Sequence, residues 1–201
     1  MIKKYFLIIL ALSLSFQGIS QKFNGGVLLG LVGSQVAGDQ YGGFNKAGLN
    51  AGGWISLPVS PKSELQMELV YVQKGSRENP DQEKEKYDTY IMRLGYVELP
   101  VLYRYIYSPR FEFETGLGFN FLIHHDETFN GYVVDENQFK ATNLCFIAGI
   151  AVNINERLKI NFRTDNSLFS IRKDRVSGDV WRFWGYGQFS DALVFSAYYK
   201  L

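Results

Sequence analysis

The chain has 201 residues, 21 basic against 20 acidic side chains, and a formal net charge of +1. Near-neutrality removes the electrostatic footprint expected of a nucleic-acid-binding protein. The single cysteine, Cys145, excludes an intrachain disulfide framework and a thiolate metal cluster.

Residues 1–20 read as a secretory signal. Lys3 and Lys4 form the positive start, Tyr5 to Phe16 the apolar run, and Gly18-Ile19-Ser20 a small-x-small site before Gln21. That run is short for a bilayer-spanning helix of about twenty residues. Residues 21–201 then form one domain, either exported and soluble or a β-barrel, with nineteen basic and twenty acidic side chains. Aromatic residues at 16% and 20 glycines are high for an average soluble domain.

From Gln21 onward the pattern is strands separated by turn residues. Phe23–Gly33 is the first strand, followed by a polar, glycine-rich loop from Ser34 to Asn45. Lys46–Leu57 is the second, closed by Pro58 and Pro61, which are incompatible with a central strand. Ser63–Lys74 is the third, with Leu65, Met67, Leu69 and Tyr71 on one face and Gln66 and Glu68 on the other. A charge-dense loop leads to the fourth, Tyr90–Tyr105, where Val97, Leu99, Val101 and Tyr103 lie opposite Glu98 and Arg104. The fifth, Phe111–Ile123, alternates most cleanly, with Phe111, Phe113, Leu117, Phe119, Phe121 and Ile123 on one side. A loop from His124 to Ala141 precedes Asn143–Ile154 and, after a tight turn, Leu158–Phe169. The segment Ser170–Gly187 is a long loop, and Phe189–Leu201 is the last strand.

Eight strands with alternately long and short connections predict an all-β fold, an eight-stranded antiparallel up-and-down transmembrane β-barrel. Tyr103, Tyr105, Tyr107 and Phe111 suit an interfacial aromatic girdle, and Leu193, Phe195, Ala197, Tyr199 and Leu201 form a terminal apolar row. A secreted soluble lipocalin-like barrel holding a small apolar ligand would alternate equally well. It requires Leu69, Leu99, Phe113 and Phe119 to point inward.

The third and fourth strands also carry motifs. Leu65-Gln66-Met67-Glu68-Leu69-Val70-Tyr71-Val72-Gln73-Lys74-Gly75 resembles the L-x-x-E-L-x-Y-x-x-K-G strand of PorT-like outer-membrane β-barrel proteins of Bacteroidetes. Tyr96-Val97-Glu98-Leu99-Pro100-Val101-Leu102 is similar to their Y-[LV]-E-[IL]-P-L-L strand, and weaker similarity runs to the final strand. The resemblance implies an outer-membrane location and an eight-stranded barrel. The founding member is linked to protein secretion across the outer membrane, whereas most relatives have no assigned activity. Leu201 departs from the usual terminal phenylalanine.

Inside such a barrel Glu68, Glu98, Glu112 and Glu114 share one lumen with Arg104, Lys159, Arg163 and Asp165, a predicted structural ion-pair network. The sharper alternative is a narrow ion path or proton-linked gate. His124 and His125 suggest a rim-located lipid-processing enzyme, but adjacent residues of an extended chain diverge, and no Gly-x-Ser-x-Gly motif accompanies them. Arg172, Lys173, Arg175, Trp181, Arg182 and Trp184 are candidates for an outer-loop contact with protein or lipopolysaccharide. The expected protein is a non-enzymatic monomeric barrel in outer-membrane lipid with a structural, binding or secretion-accessory role and without catalytic residues, metal ligands, cofactor or nucleic-acid partner.

Overall fold

The computed structural model describes residues 23–80, 87–134, 138–173 and 178–201; the signal assigned to residues 1–20 lies outside them. The strands are β1 (Asn24–Ala37), β2 (Lys46–Ser60), β3 (Ser63–Glu78), β4 (Tyr90–Ile106), β5 (Phe111–Phe129), β6 (Tyr132–Val133), β7 (Thr142–Asn153), β8 (Leu158–Ser167), β9 (Val180–Arg182), β10 (Gly185–Gly187) and β11 (Phe189–Lys200). β1–β5, β7, β8 and β11 form a closed antiparallel barrel in which each strand pairs with the next in the chain. β11 completes the circle by pairing with β1, from Gly26 opposite Lys200 to Ala37 opposite Phe189. β9 and β10 make a separate hairpin.

The two-residue period of a strand decides which side chains face out. Leu65, Met67 and Leu69 are exposed, whereas Gln66 and Glu68 between them are buried. The same holds on β5, where Phe113 and Phe119 lie outside and Glu112, Glu114 and Asn120 inside. Leu69 is 59% exposed, Phe113 48% and Phe119 44%, and Leu99 is partly exposed. An apolar outer wall around a polar interior overturns the soluble lipocalin-like reading, because these side chains have only lipid to shield them.

The wall is uneven in height. β1 to β5 run 14, 15, 16, 17 and 19 residues, but β7, β8 and β11 only 12, 10 and 12. A tilted strand crosses the hydrocarbon in about 9–11 residues, so the β1–β5 side projects beyond it. Two loop segments lean into the lower side. Phe139 and Arg172 form a β-bridge, Lys140 N–H donates to the Ile171 carbonyl, and Lys173 N–H to that of Gln138. Phe139 and Ile171 are thereby buried with Val32, Val36, Val72, Met92, Leu94 and Tyr96 inside the long-loop half of the barrel.

Several strand boundaries differ from those expected from sequence. β1 continues four residues past Gly33, β3 runs to Glu78 rather than Lys74, and β5 to Phe129 rather than Ile123. Beyond the lipid the outward row turns polar, as with Arg77 and with Arg93 paired to Asp126, while the inward row remains enclosed. The apolar-out signal therefore disappears although the ladder persists. β2 runs through Pro58 to Ser60, and the register shifts between those two residues, so the missing proline N–H falls where pairing is already irregular.

Gly75 combines a close backbone approach with a positive φ in the taller wall. Its φ is +141°, and a Cβ there would lie 2.0 Å from the Met92 carbonyl oxygen of β4. Gly75→Ala is expected to cost about 1–3 kcal/mol through that conformation, with further loss from the displaced β4 strand. The readout is a lower midpoint for conversion of the compact, heat-modifiable gel band to the unfolded band.

Candidate functional site

The inward rows of β3, β4, β5 and β8 stack charged side chains into three groups. Nearest the short turns, Glu112 Oε2 forms an ion pair with Arg104 Nη2 at 2.6 Å and accepts from Lys159 Nζ at 2.8 Å, while Oε1 accepts from Asn153 Nδ2 at 2.7 Å. In the middle, Arg163 Nη1 donates to Glu68 Oε2 at 2.9 Å, and Glu68 Oε1 accepts from Gln66 at 2.6 Å and from the Tyr198 hydroxyl at 2.8 Å. Arg104 Nη1 links the two groups through Gln66 Oε1 at 2.5 Å. Glu114 lies 3.7 Å from Arg104 Nε and 4.0 Å from Arg163 Nη1, near both charges but hydrogen-bonded to neither.

The third group is centred on Lys74. Its Nζ donates to Glu98 Oε2 at 2.8 Å and to the Asp165 carboxylate, with Asn120 and the buried Cys145 alongside. β3 and β8 stand on opposite sides of the closed strand order. The Lys74–Asp165 and Arg163–Glu68 pairs therefore span the lumen in opposite directions. All eight sequence-predicted network residues point inward; their partners Lys74, Gln66, Asn120 and Tyr198 are additional. Lys74 has the same parity as Glu68 on one strand, and that signal was available in the sequence.

Above Lys74 the interior is apolar, and at the long-loop rim a second polar group closes it. Arg172 Nη2 contacts both Glu127 oxygens at 2.8 and 2.9 Å, its Nε donates to Gln188 at 2.6 Å, and the guanidinium lies 4.3 Å from the Phe139 ring centroid. The Tyr90 hydroxyl donates to Glu127 at 2.6 Å. Nearby, burial pushes the Asp39 carboxyl above the ordinary carboxylate range, against hydrogen bonds from Ser76 and the Tyr41 N–H.

The outer-loop candidates separate accordingly. Arg172 is buried in the mouth and is a strut rather than a displayed contact, because a carboxylate within reach in an enclosed site holds it. Arg182 turns back from β9 to Asp191, at 2.5 and 2.7 Å. Trp181 and Trp184 remain exposed on the hairpin at 63% and 70%, and Trp184 stacks on Phe169 with ring centroids 5.5 Å apart. Lys173 is exposed and donates to Gln138, whereas Arg175 lies outside the described residues. His124 packs on Tyr71 and His125 on Phe139; both are exposed, and neither is hydrogen-bonded to a carboxylate among the described residues. Among those residues no cluster of three histidine, cysteine or acidic side chains is arranged to hold a metal.

Residues 5–173 match the family model described as outer membrane protein beta-barrel domain. The chain belongs to this outer-membrane β-barrel family. The fold is also similar to that of Ail, the attachment invasion locus protein of Yersinia pestis, whose structure was solved in complex with the heparin analogue sucrose octasulfate. That match has a TM-score of 0.54 at 13% identity and covers 90% of this chain and 99% of Ail. Neisserial surface protein A, NspA, matches with a TM-score of 0.57 at 9% identity, over 89% of this chain and 97% of that one. Identities this low establish the fold alone. No curated protein sequence matches the chain.

As an outer-membrane β-barrel protein, the chain has its short turns on the periplasmic side and its long loops outside the cell. The lumen charges then sit at membrane depth, where an unpaired charge is costly. Lys74→Met leaves Glu98 and Asp165 facing each other without their cation and is expected to destabilise the barrel by about 3–5 kcal/mol. Glu98→Leu leaves the Lys74–Asp165 pair in place and should cost less. Urea or thermal unfolding of both variants in the same detergent checks the order, and an equal or reversed loss contradicts the assigned roles.

Proposed function

We propose that this protein is a non-enzymatic, PorT-like outer-membrane barrel of Bacteroidetes that works as a sealed mount for an extracellular contact surface. The observation that carries the reading is the filled interior. Paired charges occupy the periplasmic part of the lumen, and an apolar plug closed by Arg172–Glu127 occupies the outer part. An eight-stranded barrel is just wide enough for such side chains to fill its middle. A transport path and an open catalytic cleft both lack space, so function falls to the surfaces at the two ends.

PorT-like membership is supported by the way the two strand motifs meet. Lys74 of the first pairs with Glu98 of the second, and Gly75 supplies the backbone conformation beside that pair. One exposed extracellular element is the β9–β10 hairpin, where Trp181 faces Tyr186 across the strands and Phe183 packs against Trp184. With Arg172 and Arg182 both committed to carboxylates inside the protein, the hairpin surface is aromatic rather than cationic. That favours a protein partner with an apolar patch, of the kind a secretion-accessory role requires, over lipopolysaccharide phosphates.

Two measurements test this. Reconstituted into planar bilayers, the purified barrel should give no stepwise ion conductance; reproducible single-channel steps would contradict a sealed lumen. A photo-crosslinking amino acid at Trp181 or Trp184 in living cells should give discrete protein adducts. Adducts formed with lipid alone would make the hairpin a membrane-rim anchor.

A further inference from the structure

The periplasmic mouth of the barrel contains a cavity of about 480 Å³ that the ion-pair network does not fill. Its size lies within the range of about 300–1,000 Å³ typical of small-molecule sites. One wall is aromatic. Trp54 is buried with its indole N–H donating to the Val27 carbonyl at 3.3 Å, and its ring is tilted against that of Tyr198 at 6.3 Å between centroids. Beside them the hydroxyl oxygen of Ser56, another residue of the lining, is buried with no hydrogen-bond partner among the described residues.

The charges of this vestibule do not cancel. Arg110, Arg157, Lys159 and Lys200 line it against Glu64, Glu112 and Glu156, which leaves one positive charge in excess. Glu112 cannot serve the rim cations, because Arg104, Lys159 and Asn153 already occupy both of its oxygens. The side chains of Arg110, Arg157 and Lys200 make no ion pair among the described residues, although all three border the same opening.

From this arrangement we infer that the vestibule is a binding site for a small monovalent carboxylate carried on a flat apolar body, taken up from the periplasm. The flat body lies against Trp54 and Tyr198, and the carboxylate meets the arginines of the two short turns, where a fork-like guanidinium suits it. Ser56 supplies a neutral hydrogen bond. The site lies at the opposite end of the barrel from the aromatic hairpin and is independent of the extracellular role proposed above.

The test uses Trp54 as the only indole, in the full-length barrel carrying Trp181→Phe and Trp184→Phe, in detergent. 4-Nitrobenzoate is the probe and neutral 4-nitrobenzamide its isosteric control. Saturable quenching of Trp54 by the carboxylate is expected, with the amide at least about tenfold weaker, equivalent to about 1.4 kcal/mol. Arg110→Gln with Arg157→Gln should weaken the carboxylate several-fold while the heat-modifiable gel shift stays unchanged, since both side chains are exposed turn residues. Non-saturable quenching, equal quenching by the two probes, or undiminished binding in a folded double variant each overturns the inference.

Discussion

Lys74 and Arg163 reach across the lumen in opposite directions between β3 and β8, two strands that share no backbone hydrogen bond. The remaining interior is arranged around these two crossings. The lipid-facing surface excludes charge, so every charge on the eight strands at membrane depth must face inward, where no bulk water is available. Each buried charge then needs a partner in a space one or two side chains wide. Such pairs are weak sources of net stability compared with apolar packing. Their consequence here is register. A slip of one residue on β3 would turn Glu68 and Lys74 into lipid and leave Arg163 and Asp165 unpaired.

The unequal strand lengths determine what lies above the crossings. β1–β5 continue past the bilayer, and the shorter β7, β8 and β11 leave a low side through which Phe139 and Ile171 enter. These two residues come from different loops that pair with each other, so the plug depends on both loops being in place. Arg172 then reaches Glu127 beneath its own loop. The barrel is polar and cross-braced on the periplasmic side and carries an apolar cluster on the outer side. Exposed surface among the described residues includes the aromatic hairpin on the long-loop side and the cation-rimmed vestibule at the short-turn mouth.

The architecture was legible because its cause is local. Alternation with a period of two in Leu65–Tyr71 and Phe111–Ile123 marks strands wherever one face meets lipid, and turn residues mark the short connections. The same logic put Glu68, Glu98, Glu112, Glu114, Arg163 and Asp165 on inward faces. It lost sight of the strands where they leave the bilayer, since Arg77 and Asp126 there face water and the contrast between faces vanishes. It also placed Arg172 and Arg182 among displayed residues. Whether a loop arginine points outward depends on a carboxylate distant in sequence, Glu127 for one and Asp191 for the other.

The sequence alone therefore determined the strand order, the lipid-facing rows and the inward side of each wall charge, because parity along a strand is a property of neighbouring residues. Only the tertiary structure decided which charges pair, that Lys74 is the hub between two walls, that loop residues stopper the lumen, and that a vestibule remains at the periplasmic mouth. Those features depend on distances between residues far apart in the chain, such as Lys74 and Asp165 at a separation of 91 and Glu68 and Tyr198 at 130, set when closure of the barrel brings opposite walls within one side-chain length.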